Sequence, residues 1–196
     1  TDVQDRQPFF FSMLFLFLAA MFGLVLSQNL IWIYFFWEIT SVISFLMIGY
    51  TRTPEAVGNS FCALWMNLLG GLGFAVAIAL MAQLYGTVQL TDVVQIGALL
   101  PLMCLALAGM TKSAQLPFST WLLGAMVAPT PSSALLHSAT MVKAGVYLLI
   151  RISPALAGNL VGIIVSSIGG FTFIMASMMA IAQHDAKKVL AFSTIS

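Results

Sequence analysis

The chain has 196 residues, of which 61% are hydrophobic and only 7% are charged, and its formal net charge is +1. Soluble domains carry about 25% charged residues, so this composition excludes an ordinary soluble domain and predicts an integral membrane protein. Its mean hydropathy of +1.04 agrees with that class. With no basic patch in the sequence, we expect no nucleic-acid partner.

Six segments are long and apolar enough to cross a membrane, which takes about 20 residues. In chain order they are residues 8–28, 30–50, 59–84, 96–113, 134–152 and 158–182, and a seventh would begin near Val189. The predicted fold class is therefore an all-α, polytopic membrane helix bundle, with one membrane domain over residues 1–196. The sequence starts without Met and stops as an apolar helix begins, so we expect an internal piece of a longer protein.

Basic residues predict the orientation of these spans, because cytoplasmic loops are enriched in Lys and Arg. Counting through six spans puts Arg6, Arg52, Lys187 and Lys188 on one side and only Arg151 on the other. The first side is predicted to be cytoplasmic. The expected location is a prokaryotic cytoplasmic membrane, and the paired lysines are interpreted as interfacial anchors.

Four ionisable residues lie inside the apolar spans: Glu38, Lys112, His137 and Lys143. An acid or lysine in mid-span costs roughly 3 kcal/mol on insertion scales, so such residues are expected to face the bundle interior, close to one another or to water. Intramembrane charges usually mark ion pathways, which makes these four candidate proton-transfer residues. The alternative is a structural ion pair between Glu38 and Lys112, with His137 hydrogen-bonded across helices.

A helix break is predicted beside Lys112. Pro117 has no N–H group, so the carbonyl of Ser113, four residues earlier, loses its helical partner. Pro129 and Pro131 end the next short apolar piece. Broken helices at membrane depth are tolerated where they are buried in protein or line a wet cavity. We therefore expect a break between Lys112 and Phe118 that opens a polar pocket next to the lysine.

Three stretches carry a resemblance to a known family: "FFWEITSVISFLMIGY", "TKSAQLPFSTWLLGAMVAPTPSSALLHSATMVKAGVYLLIRISP" and "DAKKVLAFSTIS". They resemble the antiporter-like membrane subunits, which comprise the large proton-pumping subunits of respiratory complex I, the large Mrp antiporter subunits and the matching hydrogenase subunits. The resemblance implies about fourteen helices with two inverted five-helix repeats. Residues 8–152 would match the first repeat, and residues 158–196 the start of the second.

The resemblance also implies roles for the four intramembrane residues. Glu38 matches the glutamate of the family's "WE" helix, Lys112 the lysine of its broken helix, and His137 and Lys143 the polar residues of the next helix. Together they would form the first half of a buried proton relay. Leu68 and Gly71 depart from complex I's largest pumping subunit, which has Arg and Asp there. The chain looks most like the antiporter-like membrane subunit of Ech-type energy-converting hydrogenases.

Three functions therefore stay open from the sequence. The first is a proton- or cation-translocating, non-redox subunit of an oxidoreductase complex, driven by peripheral partners with Fe–S clusters or a NiFe centre. The second is a subunit of a Mrp-type Na⁺/H⁺ antiporter, and the third is a structural membrane scaffold. In each case the partners would be other membrane subunits, and the transported ion H⁺ or Na⁺. Without clustered cysteines or a glycine-rich nucleotide loop, we expect no bound cofactor or metal.

Overall fold

The computed structural model of the chain describes residues 6–134 and 140–196. This part is built from helices, with one isolated bridge between Asn29 and Gln89. The predicted all-α membrane bundle with a broken helix is confirmed. The ten α-helices in the described ranges are α1 (Gln7–Leu26), α2 (Leu30–Ile48), α3 (Pro54–Leu80), α4 (Leu90–Ile96), α5 (Leu99–Lys112), α6 (Thr120–Gly124), α7 (Thr130–Ser132), α8 (Val142–Leu156), α9 (Leu160–Ile181) and α10 (Ala186–Ile195).

Four of the described helices, α1, α2, α3 and α9, are long and apolar enough to cross a membrane by themselves. The fourth predicted span is shorter than expected, because α5 has only 14 residues and so is about 21 Å long. Helix α3 begins before its predicted start, with Pro54 in its first turn and the Thr53 side chain accepting the amide of Ala56 at 3.2 Å. The short helix α4 lies in a stretch that the sequence predicts as a loop.

Hydrogen bonds between loops show which ends of the helices lie together. At one end, Leu30 donates its amide to Val88 O at 2.8 Å, and Leu90 donates to Gln28 O at 2.9 Å. Arg151, near the end of α8, donates to Gln28 Oε1 at 2.6 Å. The α1–α2 loop, the loop before α4 and the end of α8 therefore share one end of the bundle. This is the arrangement expected when successive spans cross the membrane in opposite directions.

Glycines allow the central helices to pack closely. Gly70 and Gly73 of α3 face α5, where an added methyl group would meet Thr111 Oγ1 and, at 3.1 Å, Cys104 O. The contact between α5 and α8 is tighter still: a Cβ on Gly145 would lie 2.5 Å from Gly109 O and 2.6 Å from Ser113 N. Helix α5 is thus held between α3 and α8 at backbone-to-backbone distance, a packing mode common in membranes.

Replacing Gly145 by Ala should lower the thermal stability of the protein, because the clashing atoms on α5 belong to the backbone and cannot move aside separately. Gly→Ala in a helix otherwise stabilises by up to about 1 kcal/mol. Gly58→Ala on α3 is the matched control, since nothing lies within 4 Å of its added Cβ. Melting temperatures of the detergent-solubilised proteins should fall for Gly145→Ala and stay level or rise for Gly58→Ala. Equal melting temperatures would contradict the close α5–α8 contact.

Candidate functional site

Helix α5 ends at Lys112, and the chain does not become helical again until Thr120. The predicted break between Lys112 and Phe118 is therefore confirmed. Directly after the helix, Ala114 takes a left-handed backbone conformation with φ of 55°, which turns the chain away from the helix axis. Pro117, with no N–H group to donate, lies inside this non-helical stretch, as its chemistry requires.

Hydrogen bonds hold the broken segment in a defined position. Trp121, in the half-helix α6, donates its indole N–H to Thr111 O at 3.0 Å and so satisfies a carbonyl in the last turn of α5. The amide of Leu116 donates to Thr172 Oγ1 of α9 at 3.1 Å. Both acceptor residues are buried, so the break is part of the core rather than a surface loop.

The side chain of Lys112 is completely buried, with 0% of its surface exposed. Its ammonium group donates to Trp37 O at 3.0 Å and to Ser41 Oγ at 2.7 Å, both on α2. The nitrogen also lies 4.8 Å from the centroid of the Trp37 ring, which suits a cation–π interaction. An ammonium group carries three N–H donors, and these two hydrogen bonds account for two of them.

Glu38 lies on the same turn of α2, between the two residues that bind Lys112. Its Oε1 atom is buried and accepts no hydrogen bond in the described structure. The carboxylate is packed against the backbone of α3, where a methyl group on Gly71 would collide with Glu38 Oε1. Glu38 and Lys112 interact electrostatically, but the direct hydrogen bonds of Lys112 go to neutral oxygen atoms.

This arrangement brings two protonatable groups, an amine and a carboxylic acid, to one place inside the helix bundle. A buried ammonium group is stable only while hydrogen bonds and a nearby negative charge compensate for its lost hydration. Trp37 O and Ser41 Oγ supply hydrogen-bond acceptors, and the Glu38 carboxylate interacts with the amine electrostatically. The site therefore holds the Lys112 amine through two neutral acceptors, with the acid close by.

Of the other two candidate residues, Lys143 is not brought to Lys112 in the described structure. His137 lies outside the described residues. Lys143 is the second residue of α8 and is exposed. It is two residues, or about 200° of helical rotation, from Gly145, which faces α5, so Lys143 lies on a different face of α8.

Sequence reasoning missed Ser41 and the role of Gly71. Ser41 follows Glu38 by three residues and so lies on the same face of the helix, a spacing that could have marked it. The sequence alone presents Gly71 as a departure from complex I, whereas the structure puts the Glu38 carboxylate in the space that it leaves.

Residues 27–196 match the family model described as NADH:quinone oxidoreductase/Mrp antiporter, TM. The chain belongs to this antiporter family of membrane subunits. The matched range contains Glu38, Lys112, His137 and Lys143, together with the α2 residues that bind Lys112. The resemblance noted from the sequence is thereby confirmed at the level of the family.

Among relatives, the chain is 42% identical over 203 residues to a protein named "Putative antiporter subunit mnhA2" from Staphylococcus aureus, an alignment that covers 98% of this chain and 25% of the relative. A chain in the structure of the Mrp complex from Dietzia sp. DQ12-45-1b superposes with a TM-score of 0.88 at 37% identity, covering 94% of this chain and 21% of that one. The chain thus spans about a quarter of the length of these relatives.

A second solved structure shares the fold alone. A chain of the archaeal membrane-bound sulfane sulfur reductase superposes with a TM-score of 0.79 at 23% identity, covering 93% of this chain and 40% of that one. The two more similar proteins are the Staphylococcus antiporter subunit and the chain of the Dietzia Mrp complex. They favour the Mrp-type alternative over the hydrogenase interpretation of the sequence.

Gly71→Ala should disturb the site without removing any charged group. The added methyl group would collide with Glu38 Oε1, so the carboxylate must move away. With the transport activity proposed below as the readout, we expect at least a tenfold loss in membrane vesicles, normalised to the amount of assembled protein. Gly170→Ala on α9, with nothing within 4 Å of its added Cβ, should transport at the parental rate. Parental transport by Gly71→Ala would show that the close approach of Glu38 to α3 is unimportant.

Proposed function

We propose that the chain forms part of a cation-translocating membrane subunit of a Mrp-type Na⁺/H⁺ antiporter. The observation that carries this proposal is a fully buried lysine at the end of a broken helix, bound to the turn of α2 that also bears Glu38. Intramembrane charges of this kind usually belong to ion pathways. The similarity to antiporter subunits from Staphylococcus and Dietzia supports the Mrp type among the family's members.

In the proposed mechanism Lys112 is the proton carrier and Glu38 controls its charge. When the Glu38 carboxylate is close, it stabilises the ammonium form of Lys112, and when it moves away or binds another cation, Lys112 releases its proton. The proton passes through water to His137 or Lys143. His137 suits this step because an unperturbed imidazole titrates near neutral pH. Lys143, exposed on α8, would hand the proton to the part of the longer polypeptide that matches the second repeat.

Two finer features belong to the same proposal. Residues 8–152 would form the first five-helix repeat, and residues 158–196 would begin an inverted second repeat. The end of the bundle that bears Arg6, Arg52 and Lys187 would face the cytoplasm, following the positive-inside rule. That end carries more Lys and Arg residues than the opposite end, where Arg151 lies, and this difference supports the orientation.

A redox-driven complex is the alternative for the same site, because the family also includes NADH:quinone oxidoreductase subunits. Purification of the tagged, full-length protein from native membranes separates the two functions. Co-purification with other membrane subunits alone favours the antiporter, whereas stoichiometric Fe–S or NiFe subunits would favour the redox-driven pump.

Lys112→Met should abolish Na⁺-dependent proton movement, because it keeps an apolar stem of similar length and removes the group that carries the proton. Lys188→Met, in an exposed position near the start of α10, is the control and should transport normally. The measurement is the Na⁺-induced change of a pH-sensitive dye in everted membrane vesicles, normalised to assembled complex. Parental transport by Lys112→Met would refute the proposed mechanism.

The double variant Glu38→Gln, Lys112→Met distinguishes a proton-transfer role of the two residues from a purely structural one. A purely structural role predicts that this neutral, shape-matched pair restores transport along with assembly. The relay predicts assembly without transport, because neither side chain can then exchange a proton.

Lys143→Met should suppress proton movement at least tenfold while leaving assembly intact. The side chain of Lys143 is exposed on the described bundle, so the substitution leaves the packed core unchanged and a loss of transport reports on proton transfer. The same vesicle assay measures it. Transport at the parental rate would remove Lys143 from the path and leave it a structural residue.

A further inference from the structure

Helix α5 ends earlier than its proline requires. Pro117 clashes with the carbonyl four residues before it and disfavours a helical conformation of the preceding residue, so by itself it would allow α5 to continue as far as Gln115. The structure ends α5 at Lys112, three residues before that limit. Contacts other than those of Pro117 therefore set the end of this helix at the residue that carries the buried amine.

The amides that follow α5 show how the helix is ended. Ala114 has a φ of 55° and donates its amide to Thr111 O at 3.2 Å. Gln115 donates to Met110 O at 3.0 Å. Two such bonds around a left-handed residue form the Schellman motif, in which that residue is usually glycine because other L-residues are disfavoured there. With alanine in this place the motif is weaker than usual and depends on support from neighbouring segments.

The amide of Leu116 provides this support through another helix. In an uninterrupted helix it would donate to Lys112 O, four residues earlier. Instead it donates to Thr172 Oγ1 of α9 at 3.1 Å. The described structure buries three residues of α9, Val161, Thr172 and Ala176, and Thr172 is the polar one among them, with 0% of its surface exposed. The Thr172 hydroxyl group thus replaces the Lys112 carbonyl as the acceptor of this amide.

The packing beside this hydrogen bond leaves space next to the broken segment. A cleft of about 430 Å³ lies between the break and α9, and it is lined by Leu116, Pro117, Ser167, Ile168 and Phe171. Well-packed interiors hold a segment in place by filling such spaces. Within the described part of the chain, side-chain packing does not do so here, and the hydrogen bond to Thr172 directly contributes to where the segment lies.

The acceptor chosen by the Leu116 amide determines what surrounds Lys112. Without Thr172, the helical acceptor of this amide is Lys112 O, and α5 would lengthen by three residues, or about 4.5 Å. The C-terminus of a helix carries partial negative charge, which favours a cation in the last turn. Lengthening α5 would move this charge beyond Lys112 and change the electrostatic environment of its amine.

We propose that Thr172 is a positioning residue for ion transport: its hydroxyl group accepts the Leu116 amide and thereby ends α5 at Lys112. This inference rests on the proposed function, in which Lys112 carries the proton, and it adds the contact that controls the end of α5. Because Thr172 belongs to α9, a displacement of α9 lengthens this hydrogen bond and acts on the helix end that bears the amine. The bond therefore transmits movement of α9 to the proton carrier.

Two substitutions of Thr172 distinguish hydrogen bonding from packing in the full-length protein within its complex. Thr172→Val keeps the shape and removes the acceptor, whereas Thr172→Ser keeps the hydroxyl group and removes a methyl group. We expect Na⁺-induced proton movement, normalised to assembled complex, to be at least about tenfold slower for Thr172→Val and within about threefold of the parent for Thr172→Ser. Ser166→Ala is the control and should transport at the parental rate, since that hydroxyl group donates to Gly162 O within α9. A Thr172→Val variant that is as fast as Thr172→Ser, or faster, would overturn the proposal.

A second-site substitution tests whether Thr172 acts through the end of α5. Glycine adopts a positive φ without steric cost, so Ala114→Gly stabilises the same helix end without help from α9. Added to Thr172→Val, it should raise transport at least about threefold, because it shifts the population back to the broken conformation. Alone it should leave transport at the parental rate, because the break is already formed. A packing defect on α9 predicts no recovery in the double variant, and that result would refute the positioning role.

Melting temperatures give a readout that does not depend on transport. The solubilised Thr172→Val protein should melt at a lower temperature than Thr172→Ser, because its buried Leu116 amide loses its acceptor. The opposite order would contradict the hydrogen bond. If Lys112→Met is inactive but Thr172→Val transports at the parental rate, this inference is wrong and the proposed function stands. If Lys112→Met transports normally, the proposed function fails, whatever the melting temperatures show.

Discussion

The described structure depends on the attachment of one buried ammonium group to the middle of a neighbouring helix. Lys112 Nζ donates to Trp37 O and Ser41 Oγ, and this contact connects the end of α5 to α2 over a sequence separation of more than 70 residues. Leaving a lysine without partners at this depth would cost several kcal/mol. The helix break directly follows Lys112, and Glu38 lies on the turn of α2 that binds the amine.

The attachment requires close helix packing, which glycines provide. Gly70 gives space to Thr111 on α5 and Gly71 to Glu38 on α2, so α3 brings together the two helices that carry the acid and the base. On the other side of α5, glycines at positions 109 and 145 bring α8 to backbone distance. These glycines serve two purposes at once, because the packing that stabilises the bundle also sets the distance between its ionisable groups.

Much of this could be predicted from the sequence, for reasons that particular residues make clear. Pro117 located the helix break because a missing N–H group is a property of the residue itself. The cost of isolated charges predicted that Lys112 and Glu38 approach each other. One partner of Lys112 could not be predicted, because it is the backbone carbonyl of Trp37, an atom that every residue possesses. Helix α4 was missed because its seven residues are too few to show a helical hydrophobic pattern.

Binding the Lys112 amine to neutral acceptors rather than directly to Glu38 suits the proton exchange that we propose for this residue. A unit charge at 4 Å contributes about 4 kcal/mol at an effective dielectric constant of 20, and at 8 Å about 2 kcal/mol. Moving the Glu38 carboxylate from 4 Å to 8 Å would therefore change the equilibrium constant for release of the Lys112 proton by about 30-fold. In this proposal the helices need not move, because Trp37 O and Ser41 Oγ keep the amine bound while Glu38 rotates. Gly71 leaves the Glu38 carboxylate a place against α3, so a single side-chain motion can couple the charge of the acid to the proton on the lysine.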